Sequence, residues 1–436
     1  MQVSEATKNA FKSDTATKHL RIRFIDLGFE VPEQNIYEES LVLKESVSDS
    51  ENLDFVGCIS SMFQIKIHNL NADVKGRRIG VWIKADNTEE IKLFDGIVDN
   101  VKLDSGKMYK EITAYDALYS KGNIDVAPIY KNMYFPCTLR AVRNTLFAHL
   151  GIDEPFVDLP NDEIEITKRY DPTTLKALDV IKAICQINGV WGRMNRENQF
   201  EYIFTPNIEP SCVPIQVPFQ LADPNAGIFA FSEKIAYYRN LFYQEYKVNL
   251  VDKLTIRQND EDEGVTVGEG ENEYIIQGNM WTDGLDAETL ETMATNIYPR
   301  IRGVMYHPYT CTCNGLPFLE VGKDAISCKV LDINTQELKE VDFYLLSRTM
   351  KGIQALKDSF EAKGEEDRSI FISDLNQKID QIKQATDKIV KDINSGKIGG
   401  FKFVEVQDAS EIPSPPEPNT GYYKVGEVSY FDRVVM

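Results

Sequence analysis

Ile372, Leu375, Ile379, Ile382, Thr386, Ile389 and Ile393 recur at alternating spacings of three and four, with Asn, Gln, Lys and Asp filling most positions between them. Such a heptad seam is satisfied by other copies of itself. Isoleucine holds every apolar a position, d carries leucine and then isoleucine, and β-branched side chains in both layers favour three strands over two. Thr386 is the weak layer. A helix over these residues would be ~33 Å long, enough to cement a trimer and too short for a fibre shaft. The seam runs just over three heptads with few e/g charges, so an amphipathic helix laid on a core fits the residues nearly as well.

At 436 residues and 42% apolar content the chain has room for two to four globular domains. No run approaches the roughly 18 to 20 apolar residues of a membrane helix, and the polar stretch Met1 to Asp14 lacks the apolar core of a signal peptide. Synthesis in the cytoplasm without stable membrane insertion is the expectation. Cys58, Cys137, Cys185, Cys212, Cys311, Cys313 and Cys328 are odd in number, scattered and mostly inside apolar segments, which reads as reduced core thiols. A formal charge of −20 argues against a surface that grips nucleic acid, because such a surface neutralises phosphates with clustered Lys and Arg.

From Leu20 to Tyr115 short strand-like runs follow one another: Leu20 to Ile25, Leu41 to Glu45, Phe63 to Leu70, Arg78 to Lys84, Ile91 to Val101 and Tyr109 to Tyr115. Phe63, Ile65 and Ile67 alternate with Gln64, Lys66 and His68, so one face is buried and the spacing suits an antiparallel barrel or sandwich. The grammar then changes. Thr138 can cap a helix carrying Leu139, Val142, Leu146 and Leu150 before Gly151, and a second helix carries Leu175, Leu178, Ile181 and Cys185 before Gly189. Val190 to Met194 and Gln199 to Phe204 flank a polar turn and read as a hairpin. A proline-punctuated passage leads into a second strand-rich region, about Ile228 to Leu346, with one helix capped by Asp286. Tyr344 to Glu361 reads as helical, the seam follows, and glycines release a strand-like tail.

The fold class expected is therefore α+β, mainly β. The divisions are a first β-domain over 1–120, an α+β domain over 121–210, a second β-rich domain over 211–348, a helical segment with the seam over 349–396 and a small β tip over 397–436.

Chemistry is scarce. The four histidines, His19, His68, His149 and His307, sit in unrelated contexts, and no nucleophile elbow, phosphate loop or zinc-protease helix is present. His307, Cys311, Cys313 and Cys328 offer soft ligands, yet Cys-x-Cys on a strand lacks the spacer that closes a tetrahedron, so buried thiols are the preferred reading over structural zinc. Asp260, Glu261, Asp262 and Glu263 resemble the start of a calcium loop, but Val265 stands where a glycine must turn the chain. A solvated loop between two strands is preferred. No cofactor, no metal and no catalysis are expected.

Several segments resemble the tail-hub and tail-tip proteins of Firmicutes phages and prophages. They are Tyr37 to Ser46, Leu53 to Ile59, Ile112 to Ala117, Phe135 to Leu139, Leu159 to Asp162, Val180 to Gly189 and Arg348 to Leu356, in order over about residues 20 to 360. The resemblance implies a trimeric hub in which each chain supplies two tube-like antiparallel β-barrel domains around the α+β domain, followed by the coiled-coil helix and small tip. It places the chain in the virion at the distal end of the tail. The implied partners are two further copies of the chain, a hexameric distal tail protein, the tape measure protein, and tail fibres or receptor-binding proteins, with genomic DNA in transit. A carboxylate-lined lumen would then raise the cost of phosphate contact during ejection. Three other readings stay open: a receptor-binding or fibre-anchoring tip protein, a tail-associated peptidoglycan hydrolase, and the hub of a phage-derived bacteriocin.

Overall fold

Period-two alternation shapes the N-terminal region of the computed structural model, which describes residues 3–48, 52–55, 57–104, 106, 108–167, 175–204, 233–235, 238–302, 305–332, 335–367, 370–374, 402–405 and 420–423. These fall into two compact units, Met1–Ser373 and Asp374–Met436. A short helix α1 (Glu5–Lys12) precedes β1 (Lys18–Phe24), β2 (Phe29–Glu30), β3 (Val42–Ser46), β4 (Met62–His68), β5 (Arg78–Ala85), β6 (Ile91–Leu103) and β7 (Tyr109–Tyr115). Phe63, Ile65 and Ile67 of β4 and Ile79, Val81 and Ile83 of β5 are buried, while their polar neighbours stay partly exposed. That is the alternation a half-buried antiparallel sheet requires. Register shifts interrupt β6 against both of its neighbours, and such bulges sharpen the local twist of a long strand.

Helical spacing takes over next. The elements are α2 (Ala117–Gly122), α3 (Ala127–Tyr130), β8 (Cys137–Thr138), α4 (Leu139–Leu150), β9 (Glu165–Ile166), α5 (Ala177–Gln186), β10 (Val190–Met194) and β11 (Phe200–Phe204). The Thr138 hydroxyl accepts from the Ala141 N–H at 3.3 Å, and Gly151, at φ 61°, closes α4 in the left-handed conformation. Thr138→Ala should lower stability by about 1 kcal/mol. Urea unfolding of the purified variant, with its circular dichroism unchanged at zero denaturant, checks this. β10 and β11 form the expected hairpin, packed so that Trp191 stacks on Phe55 with centroids 5.1 Å apart.

The second strand-rich region contributes β12 (Glu233–Ile235), β13 (Tyr238–Tyr243), β14 (Lys253–Arg257), β15 (Val265–Gly268), β16 (Glu273–Gln277), α6 (Ala287–Ile301), β17 (Tyr309–Asn314), β18 (Ala325–Leu331) and β19 (Leu338–Tyr344). Asp286 caps α6 by accepting from the Thr289 N–H at 2.8 Å. Then come β20 (Ser347–Lys351), β21 (Lys357–Ala362) and β22 (Ile370–Asp374).

This corrects the helix expected over Tyr344 to Glu361 and the start of the helical segment expected over 349–396. Leu346, Met350, Ile353 and Phe360 fall in helical phase, but Gly352, at φ 76°, turns the chain back and β20 pairs with β21. Ile372, expected as the first a position of the seam, lies on β22. Leu375, Ile379, Ile382, Thr386, Ile389 and Ile393 lie outside the described residues.

The strands assemble into one 11-stranded antiparallel sheet, β13-β17-β21-β20-β3-β4-β7-β6-β5-β1-β2, with a three-stranded sheet β12-β18-β19 and a four-stranded sheet β15-β14-β16-β22 beside it in sequence. The two regions expected as separate β-domains thus share a sheet. They meet where β3 pairs with β20, Arg348 facing Glu45 across the ladder. In the second unit β23 (Lys402–Glu405) and β24 (Thr420–Tyr423) pair in parallel. No helix among the described residues is long and apolar enough to cross a membrane.

Candidate functional site

Strand alternation points Arg348 and Met350 of β20 inward, and Arg348 is fully buried. A buried guanidinium needs partners for its donors, and all three nitrogens of this one are engaged. Its Nε and Nη2 form a bidentate pair with Asp358 of β21 at 2.8 and 2.7 Å, while Nη1 and Nη2 donate to the Leu319 and Leu316 carbonyls at 2.7 and 2.6 Å. The other Asp358 oxygen role is backbone: its Oδ2 accepts from the Leu316 N–H at 2.6 Å.

Two more arginines reach the same loop from the β10–β11 hairpin. Arg196 donates to the carbonyls of Pro317 and Leu319, and Arg193 donates to Val321 at 2.7 Å. Glu45 of β3 lies 3.3 Å from Arg196 and 3.5 Å from Arg348. Burial opposes both charges, yet Asp358 and Glu45 hold the Arg348 guanidinium above its ordinary pKa, and the arginines hold the Glu45 carboxyl below its own. Three guanidiniums therefore clasp Leu316–Val321, binding strands from both ends of the first unit to the hairpin between them.

A second buried network reaches the end of the first unit. Asp54 Oδ1 accepts from the Tyr274 hydroxyl at 2.7 Å and from the Ser373 hydroxyl at 2.8 Å, and the Asp54 carbonyl accepts from the Trp191 indole N–H at 2.8 Å. Gln186 of α5 donates to Ser373 Oγ at 2.8 Å and accepts from Asn279 at 2.7 Å. β22 is thereby tied to the hairpin, to β16 and to α5.

A third cluster fixes the turn after α4. Arg143 pairs with Glu154 and Asp162, each at 2.9 Å, and Tyr202 donates to Glu154 at 2.5 Å. Burial raises the pKa of both carboxyls, and the nearby Arg143 charge opposes that rise. Asn161 donates through its backbone N–H to Asn188 Oδ1 at 2.9 Å, locking the turn to the end of α5. These clusters are buried and spend most of their polar groups on one another, with Arg143 Nε and Asp162 Oδ1 left without a hydrogen bond among the described residues. What they can do is hold elements in fixed relation.

The sequence-derived candidates fall elsewhere. Asp260 pairs with Arg257 at 2.9 Å, and Asp262 accepts from the N–H groups of Gln258 and Gly264, so Asp260, Glu261, Asp262 and Glu263 form the turn between β14 and β15. His307 Nδ1 lies 3.0 Å from the carbonyls of Gln244 and Tyr246. Cys311, Cys313 and Cys328 are buried free thiols, and hydrogen bonding between thiols together with burial pushes Cys311 and Cys328 up, away from the thiolate a metal would need. Among the described residues no group of three His, Cys, Asp or Glu side chains is placed to hold a metal ion.

The arginine clasp escaped the sequence reading. Its signal was Arg348 in the inward phase of a strand, concealed because the segment reads as a helix. Arg196 likewise looked like an ordinary turn residue.

Surfaces complete the inventory. β13 ends the large sheet with Phe242 68% exposed, and the β6–β7 hairpin carries Leu103 and Met108 at 63% and 62% exposure.

Neither a protein-family model nor a curated protein sequence matches the chain. Solved structures similar to it include tail proteins. The tail protein from Neisseria meningitidis is 11% identical, with a TM-score of 0.46, over 81% of this chain and 99% of that one. The 43 kDa tail protein of prophage MuSo2 from Shewanella oneidensis is 10% identical, with a TM-score of 0.46, over 79% and 96%. The prophage tail protein gp18 from Listeria monocytogenes is 12% identical, with a TM-score of 0.46, over 86% and 99%.

Proposed function

We propose that the chain is a non-enzymatic structural protein of a phage tail, the trimeric hub that closes the distal tail tube and joins it to the tip. The observation that carries this reading is the single 11-stranded sheet drawn from both ends of the first unit and joined at β3–β20. A protein whose work is to be a wall needs a continuous hydrogen-bonded surface with its halves bolted together, and the arginine clasp is such a bolt. Two strand-rich halves per chain would let three chains present six segments to a hexameric distal tail protein. The ordered run of segments resembling tail hubs, residues 20 to 360, supports the same reading.

In this reading the β13 edge and the β6–β7 hairpin face neighbouring subunits, and the tape measure protein and genome occupy the axis. The −20 charge keeps the genome from adhering as it passes. The seam, shortened to Leu375–Ile393 because Ile372 lies on β22, bundles three chains.

Light scattering of the purified chain should give a trimer mass. Substituting Ile379→Asp and Ile382→Asp together would bury charge in the bundle and should reduce that mass to a monomer's. A double variant that stays trimeric removes the bundle from the proposal. The hub role itself is tested by mixing the chain with the distal tail protein from the same genome. Absence of a ring complex in electron micrographs would sink it, while clearing of peptidoglycan in a zymogram would replace it with the hydrolase reading.

A further inference from the structure

We propose that the pocket between the 3₁₀ turn Glu38–Ser40 and the β6–β7 hairpin is a socket for an arginine side chain presented by a partner protein. The pocket holds about 370 Å³ and is lined by Tyr37, Glu38, Glu39, His68, Met108 and Tyr109 among others. Its floor is aromatic. The Tyr37 and Tyr109 rings lie 5.2 Å apart at 35°, and His68 meets Tyr109 edge-on at 5.8 Å.

The walls are held in place by backbone. The Tyr37 N–H donates to the Lys66 carbonyl at 3.0 Å, Ser40 Oγ donates to the Tyr37 carbonyl at 2.6 Å and accepts from the Lys66 N–H at 2.9 Å. On the hairpin side Asp104 Oδ1 accepts from the N–H groups of Met108 and Tyr109 at 3.1 and 3.2 Å. A pocket so fixed needs little reordering when occupied.

Nearby Glu33, Glu30 and Glu111 pair with His19, Arg21 and Lys66, but neither Glu38 nor Glu39 has a basic partner among the described residues. The Tyr37 hydroxyl donates to Glu39 Oε2 at 3.3 Å, and that neighbouring charge raises the phenol's pKa. Two carboxylates beside a face of aromatic rings call for a flat cation. A guanidinium stacks on ring faces and forks onto carboxylates with a full positive charge, which a neutral sugar lacks and a compact ammonium delivers less well. The −20 charge of the chain further favours a basic partner. The socket rests on this geometry alone and is independent of the tail reading.

The test uses the full chain and Nα-acetyl-arginine amide as probe, followed by saturation-transfer NMR. Saturable binding is expected with a Kd of ~1 mM, weakened at least ~10-fold by Glu38→Gln with Glu39→Gln and by Tyr37→Ala, at unchanged melting temperature. Nα-acetyl-lysine amide should bind more weakly and N-acetylglucosamine not at all. No saturable binding of the arginine probe, equal binding by the double glutamine variant, or preference for the sugar would each overturn the proposal.

Discussion

Replacing Arg348 with alanine is expected to lower the unfolding free energy by about 3–5 kcal/mol, because it strands Asp358 as a buried charge and removes one of two cations facing Glu45. Two backbone carbonyl bonds to the Leu316–Val321 loop are lost with it, and the loop keeps only Arg193 and Arg196. Urea unfolding followed by tryptophan fluorescence reads the loss directly, because Trp191 sits on the hairpin that supplies those two arginines. A companion variant separates charge from packing. Arg348→Met combined with Asp358→Leu removes both partners of the bidentate pair and should cost clearly less than Arg348→Ala alone. If the single and double variants were equally destabilised, the clasp would owe its strength to shape and not to paired charge.

The second large effect concerns pH. Asp116 is buried, caps α2 through the Leu118 N–H at 3.1 Å and accepts from the Ser61 N–H at 2.6 Å. Burial outweighs these bonds and pushes its carboxyl up to about 7. A folded-state pKa above the unfolded value means that folding takes up a proton between the two. The stability this group contributes is therefore complete below about pH 4 and is lost as pH rises through about 7, in total about 4 kcal/mol. Asp116→Asn cannot titrate. Urea midpoints of the two proteins measured from about pH 4 to about pH 8 should diverge with increasing pH, the wild type falling relative to the variant. Parallel curves would show that the N–H bonds keep the carboxylate ionised in the folded chain.

Much of the architecture was legible wherever one physical signal acted alone. β4 and β5 stand where alternation put them, since a half-buried strand admits no other phase. α4 and α6 begin at the caps read from Thr138 and Asp286, because those side chains satisfy N–H groups that the helix itself cannot. The failure at Tyr344 to Glu361 came from competing signals. Its apolar residues fit a helix, its inward arginine disguised the strand period, and only pairing with β3, some three hundred residues earlier, decided between them.

The candidate site followed the same division. Residues that carry the tail-hub resemblance, Asn161, Asp162, Gln186, Asn188 and Arg348, turn out to be locking residues at junctions between elements. Their neighbours in sequence gave no hint of which partner each would meet. The socket beside Tyr37 likewise joins a 3₁₀ turn to a hairpin some seventy residues later.

By itself the sequence determined the main strands β1 and β3 to β7, the capped helices α4 and α6, the β10–β11 hairpin and the strongly acidic balance, because propensity, capping and charge are local or additive. Tertiary structure decided that two strand-rich regions share one sheet, that three arginines converge on Leu316–Val321 and that Glu38 and Glu39 have no cationic partner among the described residues. Those outcomes depend on which distant segments desolvate each other's charges, and a buried guanidinium is tolerated only where a carboxylate from elsewhere in the chain arrives at the same point.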